Sequence, residues 1–173
     1  MKVTIINGTN RVGNQSLKIT MAALAMANKL GLETSLITLD NFDTLFRGRY
    51  IDVGSATEAQ KRDIGSMMNA DILLFVVPTY HGGIPSPLKN FLDTLKCFNC
   101  FDGKVITLVA GSDHNQDLGA RQTEQILNGI LSYNKVRSFV TPRITIVDFD
   151  DIDNERLREH LAYAITFYET PQN

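Results

Sequence analysis

Apolar and polar positions along the chain alternate between two periods, short continuous runs and helical stripes. Val3, Ile5 and Ile6 form a β-branched run that Asn7-Gly8-Thr9-Asn10 breaks, which predicts a first strand and a turn. From about Asn14 the spacing is helical, with Leu17, Met21, Leu24, Ala25 and Leu30 near one stripe and Gly31 as C-cap. Segment 33–39 alternates and predicts strand two. Segment 40–54 keeps no period, because Arg47, Gly48, Arg49 and Asp52 interrupt Phe42, Leu45, Phe46 and Tyr50; a loop with one or two helical turns is expected. Ser55 and Glu58 have capping-box spacing ahead of a helix with Ala59, Ile64 and Met67 or Met68 inward.

Segment 72–77 is the most apolar run and predicts a central strand, ended by Pro78. Ser86 is expected to cap a helix with Pro87 in its first turn and Leu88, Phe91, Leu92 and Leu95 inward. Strand four is expected at 104–110. A helix at 116–133 offers Ala120, Ile126, Leu127, Ile130 and Leu131 to the core. Strand five is placed at 143–147, with 136–140 approaching the sheet. Asp153 is expected to cap a last helix presenting Leu157, Leu161, Ala164, Ile165 and Tyr168.

Five β-α repeats call for a parallel sheet with helices on both faces; a doubly wound five-stranded α/β domain over residues 1–173, in the order 2-1-3-4-5, is the expectation. A chain of 173 residues buries a sizeable core as one domain. Its 17 basic and 19 acidic residues give a net charge of −2, which points away from nucleic acid and anionic membranes as partners. No apolar stretch approaches the ~20 residues of a membrane span. The first strand begins at once, so no leader is expected, and two Cys fit a reducing compartment; a cytoplasmic location is the expectation.

Three loops change the picture. They leave the carboxyl ends of strands 1, 3 and 4, which are adjacent in this order, where open α/β sheets bind ligands. The first carries Thr9, Asn10, Arg11, Asn14, Gln15 and Ser16, hydrogen-bond donors at a helix N-terminus that favours an anion. It is neither a Walker A sequence nor G-x-G-x-x-G, since Gly8 and Gly13 are its only glycines. The second, Pro78-Thr79-Tyr80-His81-Gly82-Gly83, offers an aromatic platform in Tyr80 and backbone donors from Thr79 to Gly83. The third brings Gly111 and Ser112 close on the other side. A phosphate pocket beside a slot for a flat, hydrogen-bonding ring describes a mononucleotide flavin.

GTNRVGNQS after strand 1 and PTYHGGIPSPLKNFLD after strand 3 together resemble the NAD(P)H-dependent FMN reductase family of the flavodoxin-like superfamily, which includes azo-, quinone- and chromate-reducing members. The second motif matches at Pro78, Tyr80, His81, Leu88, Lys89, Asn90 and Asp93. The resemblance implies that Thr9, Arg11 and Ser16 hold the FMN phosphate, with Asn14 or Gln15. It also implies that Pro78, Thr79, Tyr80, His81 and Gly82 line the isoalloxazine and ribityl groups, and that Gly111 and Ser112 close the pocket. Ser86-Pro87 before Leu88, and Asn10 before Arg11, depart from the family pattern. The implied activity takes hydride from NADPH or NADH to FMN and on to a small-molecule acceptor such as a quinone, azo compound or flavin. No side chain is implied as acid or base. The implied assembly is a homodimer or tetramer, with 42–50 and 98–101 near the interface. A flavodoxin-type electron carrier is the alternative, although carriers tend to be strongly acidic, and a flavin- or nucleotide-binding regulatory module is a third.

The remaining reactive residues have ordinary readings. His81 either contacts flavin or substrate or packs in its turn; His114 is expected solvated and His160 on the surface. Cys97 and Cys100 read as structural thiols, because no second Cys/His pair completes a metal site. Asp148, Asp150, Asp151 and Asp153 read as a solvated turn and a cap, and Lys89 with Asp93 as an (i, i+4) ion pair.

Overall fold

The computed structural model describes residues 1–43, 50–51, 54–95, 100–111, 117–133, 138–146 and 152–170, with backbone alone over 117–118 and 138–146. Strands β1 (Lys2–Asn7), β2 (Glu33–Ile37), β3 (Ile72–Pro78) and β4 (Val105–Gly111) form a parallel sheet in the order 2-1-3-4. The backbone of β5 (Ser138–Ile146) runs parallel to β4. Helices α1 (Ser16–Lys29), α2 (Glu58–Asn69), α3 (Ser86–Thr94), α4 (Asp117–Tyr133) and α5 (Asn154–Glu169) alternate with the strands.

All seven residues of β3 and all seven of β4 are buried, as central strands covered on both faces must be. Their side chains alternate between two cores. Leu73, Phe75 and Val77 join Ile106, Leu108 and Ala110 under Met67, Leu88, Phe91 and Leu127 of α2, α3 and α4. Ile72, Leu74 and Val76 join Val105 and Val109 under α1 and α5. Edge strand β2 keeps only Ile37 buried. It stops short of Leu39, whose φ of +68° turns the chain into a 3-10 helix at Asp40–Phe42. β5 is longer than expected. Its register slips opposite Thr107 to Val109, where Pro142, lacking an N–H, is accommodated.

Several local expectations change. The inward face of α1 is Ser16, Ile19, Thr20, Ala23 and Ala27, while Leu17 and Met21 are exposed. Small side chains at 23 and 27 let the helix lie close on the sheet, which the bulkier stripe would not. Thr57, not Ser55, caps α2: its Oγ1 accepts the Gln60 N–H at 3.2 Å, and Gln60 Oε1 accepts the Thr57 N–H at 2.9 Å. Pro85 occupies the N-cap of α3, so Ser86 is its first residue and makes no capping bond. Met68 and Ile126 are exposed. His160 is buried, 1% exposed, and hydrogen-bonds Thr107 of β4 instead of facing water. Asp153 caps α5 as expected, through the Arg156 N–H at 3.0 Å, and Lys89 pairs with Asp93 at 2.6 Å.

Cys100 is buried. Cys97, His114, Asp148, Asp150, Asp151, the apolar residues at 45 and 46, and positions 44–49 and 98–99 of the expected interface segments lie outside the described residues. Among the described residues, no helix is long and apolar enough to cross a membrane, and no cluster of three or more His, Cys, Asp or Glu is placed to hold a metal ion.

Candidate functional site

The first loop is built on Asn7, whose position in the sequence marks only the end of a strand. Its side chain is buried at the end of β1. Nδ2 donates to the Thr9 carbonyl at 2.9 Å and to Asn14 Oδ1 at 3.3 Å, while Oδ1 accepts from Ser16 Oγ at 2.8 Å and Thr20 Oγ1 at 3.4 Å. Ser16 and Thr20, four apart on α1, both face Asn7; that spacing opposite a strand-end asparagine was the available signal. Gly8 follows in close quarters. Its N–H donates to the Val76 carbonyl at 2.8 Å, and a Cβ there would lie 3.1 Å from the same oxygen and from Val77 Cγ2.

Asn14 closes the loop. Its Oδ1 accepts the Leu17 N–H at 2.9 Å, capping α1, and its Nδ2 donates to the Arg11 carbonyl at 2.7 Å. Ser16 Oγ also lies 2.8 Å from Asn14 Oδ1. The side chains of Asn14 and Ser16 are therefore turned into the loop's framework rather than out toward a ligand. Thr9 is fully buried, and its Oγ1 accepts the Arg11 N–H at 3.2 Å. Asn10 is half-buried; Arg11, Val12, Gly13 and Gln15 are exposed. Gly13 has φ +69° with open space around it. A helix leaves its first N–H groups without intrahelical partners. With Leu17 taken by Asn14, the donors left to an anion include the amides of Gln15 and Ser16 and the Arg11 guanidinium, which can fork onto a phosphate.

The second loop is a tight turn. Tyr80 and Gly83 exchange both backbone bonds at 3.0 Å, and the central residues have positive φ, His81 at +50° and Gly82 at +76°. That is the signature of a type I′ turn, where glycine and, less often, histidine are tolerated. The Thr79 N–H donates to the Gly111 carbonyl at 2.8 Å. So three of the five amides from Thr79 to Gly83 are engaged inside the protein, and those of His81 and Gly82 remain at the tip. The His81 side chain is exposed.

α4 holds this turn from below. Thr79 and Thr123 hydroxyls lie 3.0 Å apart, and a Cβ on Gly119 would come within 2.9 Å of Thr79 Cγ2. A Cβ on Gly82 would lie 2.6 Å from Gln122 Oε1. Small residues at 119 and 123, one helical turn apart, were the sequence signal for this contact. Of the third loop, Gly111 pairs with Pro78 and anchors Thr79; Ser112 lies outside the described residues.

Tyr80 joins the two loops. Its hydroxyl lies 3.3 Å from Thr9 Oγ1, and the Arg11 guanidinium carbon sits 6.0 Å from its ring centroid. The structure thus brings the strand-1 and strand-3 loops into contact at the carboxyl edge of the sheet. An open cleft of about 320 Å³ lined by Tyr50, Leu92, Leu95, Ile130 and Tyr133 lies elsewhere, at the far ends of α3 and α4. A crevice at the strand ends is where this fold places chemistry, so the loops and not that cleft form the candidate site.

Together these residues make an anion cradle with an arginine, next to a turn with two unengaged amides at its tip, a donor set that suits a flavin mononucleotide. The chain spans 63% of the length of the NAD(P)H-dependent FMN reductase LOT6 of Saccharomyces cerevisiae, with 28% identity over 131 residues covering 75% of this chain. The NADH:FMN oxidoreductase EMOB in its apo form superposes with a TM-score of 0.79 at 22% identity, over 98% of this chain and 91% of that one. The NAD(P)H:acceptor oxidoreductase FerB of Paracoccus denitrificans gives 0.73 at 18%, over 97% of each chain. A flavodoxin of Streptococcus pneumoniae TIGR4 gives 0.63 at 15%, over 96% and 99%. At these identities the structures establish a flavodoxin-like fold. The family model for NADPH-dependent FMN reductase matches residues 1–143, and the chain belongs to that family.

Proposed function

We propose that this chain is an FMN-dependent NAD(P)H oxidoreductase that delivers electrons to a small-molecule acceptor such as a quinone, azo compound or flavin. The observation that carries the reading is the contact between the Arg11 loop and the Tyr80–Gly83 turn. That contact puts the Arg11 guanidinium and the Thr9 hydroxyl beside the turn that carries the two unengaged amides. Bound FMN supplies the hydride and electron chemistry. Arg11 and the Gln15 and Ser16 amides neutralise its phosphate, with Thr9 and Asn10 lining the cradle. Asn14 and the Ser16 hydroxyl keep the loop in shape. The His81 and Gly82 amides would offer donors to the polar edge of the ring and would favour negative charge there. Pro78, Thr79, Gly83 and Gly111 set the walls. No side chain is assigned as acid or base. The same reading treats residues 1–173 as one FMN-binding domain on a 2-1-3-4-5 sheet, assembled as a homodimer or tetramer.

The test is an absorbance titration of the purified protein with FMN, followed by anaerobic NADPH and NADH. Bound FMN that one nicotinamide bleaches promptly supports the reductase and identifies its donor. Bound FMN that neither nicotinamide bleaches replaces it with the electron carrier. No FMN binding removes the flavin reading altogether.

A further inference from the structure

Tyr80 is conspicuous because both ends of its side chain are engaged on the first loop. Its hydroxyl contacts Thr9 Oγ1, the same oxygen that accepts the Arg11 N–H, and its ring lies under the Arg11 guanidinium. Tyr80 is itself fixed, by two backbone bonds to Gly83 and by the Thr79–Thr123 contact that ties the turn to α4. Arg11 is exposed and makes no ion pair among the described residues. A long exposed side chain of this kind loses much rotamer freedom when it grips an anion, and a seat on an aromatic face reduces that loss.

From this we infer that Tyr80 is a positioning residue for phosphate recognition rather than a stacking platform for the ring. It holds Thr9 and Arg11 in the arrangement that binds a phosphate monoester, and so couples the β3 turn to the anion cradle. The inference rests on the flavin reading of the site but concerns the phosphate alone. It distinguishes a phosphorylated flavin from its dephosphorylated form, riboflavin, through a residue that touches neither the ring nor the phosphate in this role.

The experiment compares dissociation constants of FMN, riboflavin and inorganic phosphate for the full chain and its Tyr80→Phe variant by calorimetry. One hydrogen bond of ordinary strength predicts about fivefold weaker FMN and inorganic phosphate, with riboflavin changed by less than about twofold. In a Thr9→Val background the Tyr80→Phe effect should disappear, because the partner hydroxyl is already gone. Equal losses for FMN and riboflavin would make Tyr80 a ring platform and overturn the inference. So would unchanged FMN affinity, or effects of the two substitutions that simply add. If the parent chain binds inorganic phosphate but not FMN, the flavin reading fails while the Tyr80 result on phosphate still decides this one. If it binds neither, both fail.

Discussion

Replacing Asn7 with alanine tests the claim that the anion loop is held from inside. Four polar contacts converge on this buried side chain, but they are unequal. Ser16 Oγ retains Asn14 Oδ1 at 2.8 Å after the substitution, and Thr20 Oγ1 retains the Ser16 carbonyl at 2.8 Å. The Thr9 carbonyl loses the Asn7 amide at 2.9 Å. Leaving that buried carbonyl unsatisfied costs about 1–3 kcal/mol. Urea unfolding of the ligand-free protein measures this as a lower midpoint at constant m-value. Thr20→Val is the control. It keeps the side-chain volume and gives up only the 2.8 Å bond to a helix carbonyl and the long 3.4 Å contact, so it should cost no more than about 1 kcal/mol. An Asn7→Ala protein as stable as the Thr20→Val protein would refute the view that Asn7 organises the loop.

Three further outcomes follow from the packing. Gly129→Ala on the exposed side of α4, where an added Cβ meets nothing, should stabilise by up to about 1 kcal/mol, whereas Gly119→Ala should show no gain, because its Cβ meets Thr79 at 2.9 Å; thermal unfolding of the pair compares them. Burial raises the Asp63 carboxyl above its ordinary 3.8, against the opposing hydrogen bond from Asn41 and the charge of Arg62. The folded state therefore holds the proton more tightly than the unfolded one, and stability falls as pH rises from 3.8 through the raised value. Asp63→Asn should remove that fall, giving a flatter stability profile over the window in unfolding at a series of pH values. Lys104, 7% exposed, donates to the Met68 and Ala70 carbonyls at 2.8 and 2.6 Å, serving the C-terminal end of α2. Lys104→Met leaves two carbonyls without that donor and should lower stability by about 2–3 kcal/mol in urea unfolding.

The meeting of the first two loops at the carboxyl edge was legible because its cues are compositional: an apolar strand, then glycine and hydrogen-bonding residues, twice over, with proline in the second loop. Which atoms face the ligand was not legible, since Asn14 and Ser16 are donors whether they point outward or, as here, toward Asn7. The inner face of α1 was misread because both of its stripes are apolar, and only proximity to the sheet selects Ile19, Ala23 and Ala27. Ser55 and Thr57 each begin a capping-box pattern two residues apart. The choice falls to Thr57, whose partner Gln60 also donates through Nε2 to the Asn41 carbonyl at 2.7 Å, a contact distant in sequence. His160 was readable: with Leu157, Leu161 and Ala164 it shares the inward stripe of α5. Its polarity argued for the surface, and the Thr107 partner that permits burial lies on another strand.

That partner has a consequence for how the last helix finds its place. A purely apolar face can slide along a sheet by a turn at little cost, since one aliphatic contact resembles the next. α5 instead carries two polar fiducials, His160 on Thr107 of β4 and the Tyr168 hydroxyl donating to Asp71 Oδ1 at 2.7 Å, where Asp71 also accepts the Lys2 N–H at 2.8 Å. They stand eight residues apart, about 12 Å along the axis. Two fixed marks on a rigid rod determine both its offset and its rotation, so α5 reads its alignment from the sheet like a key with two teeth.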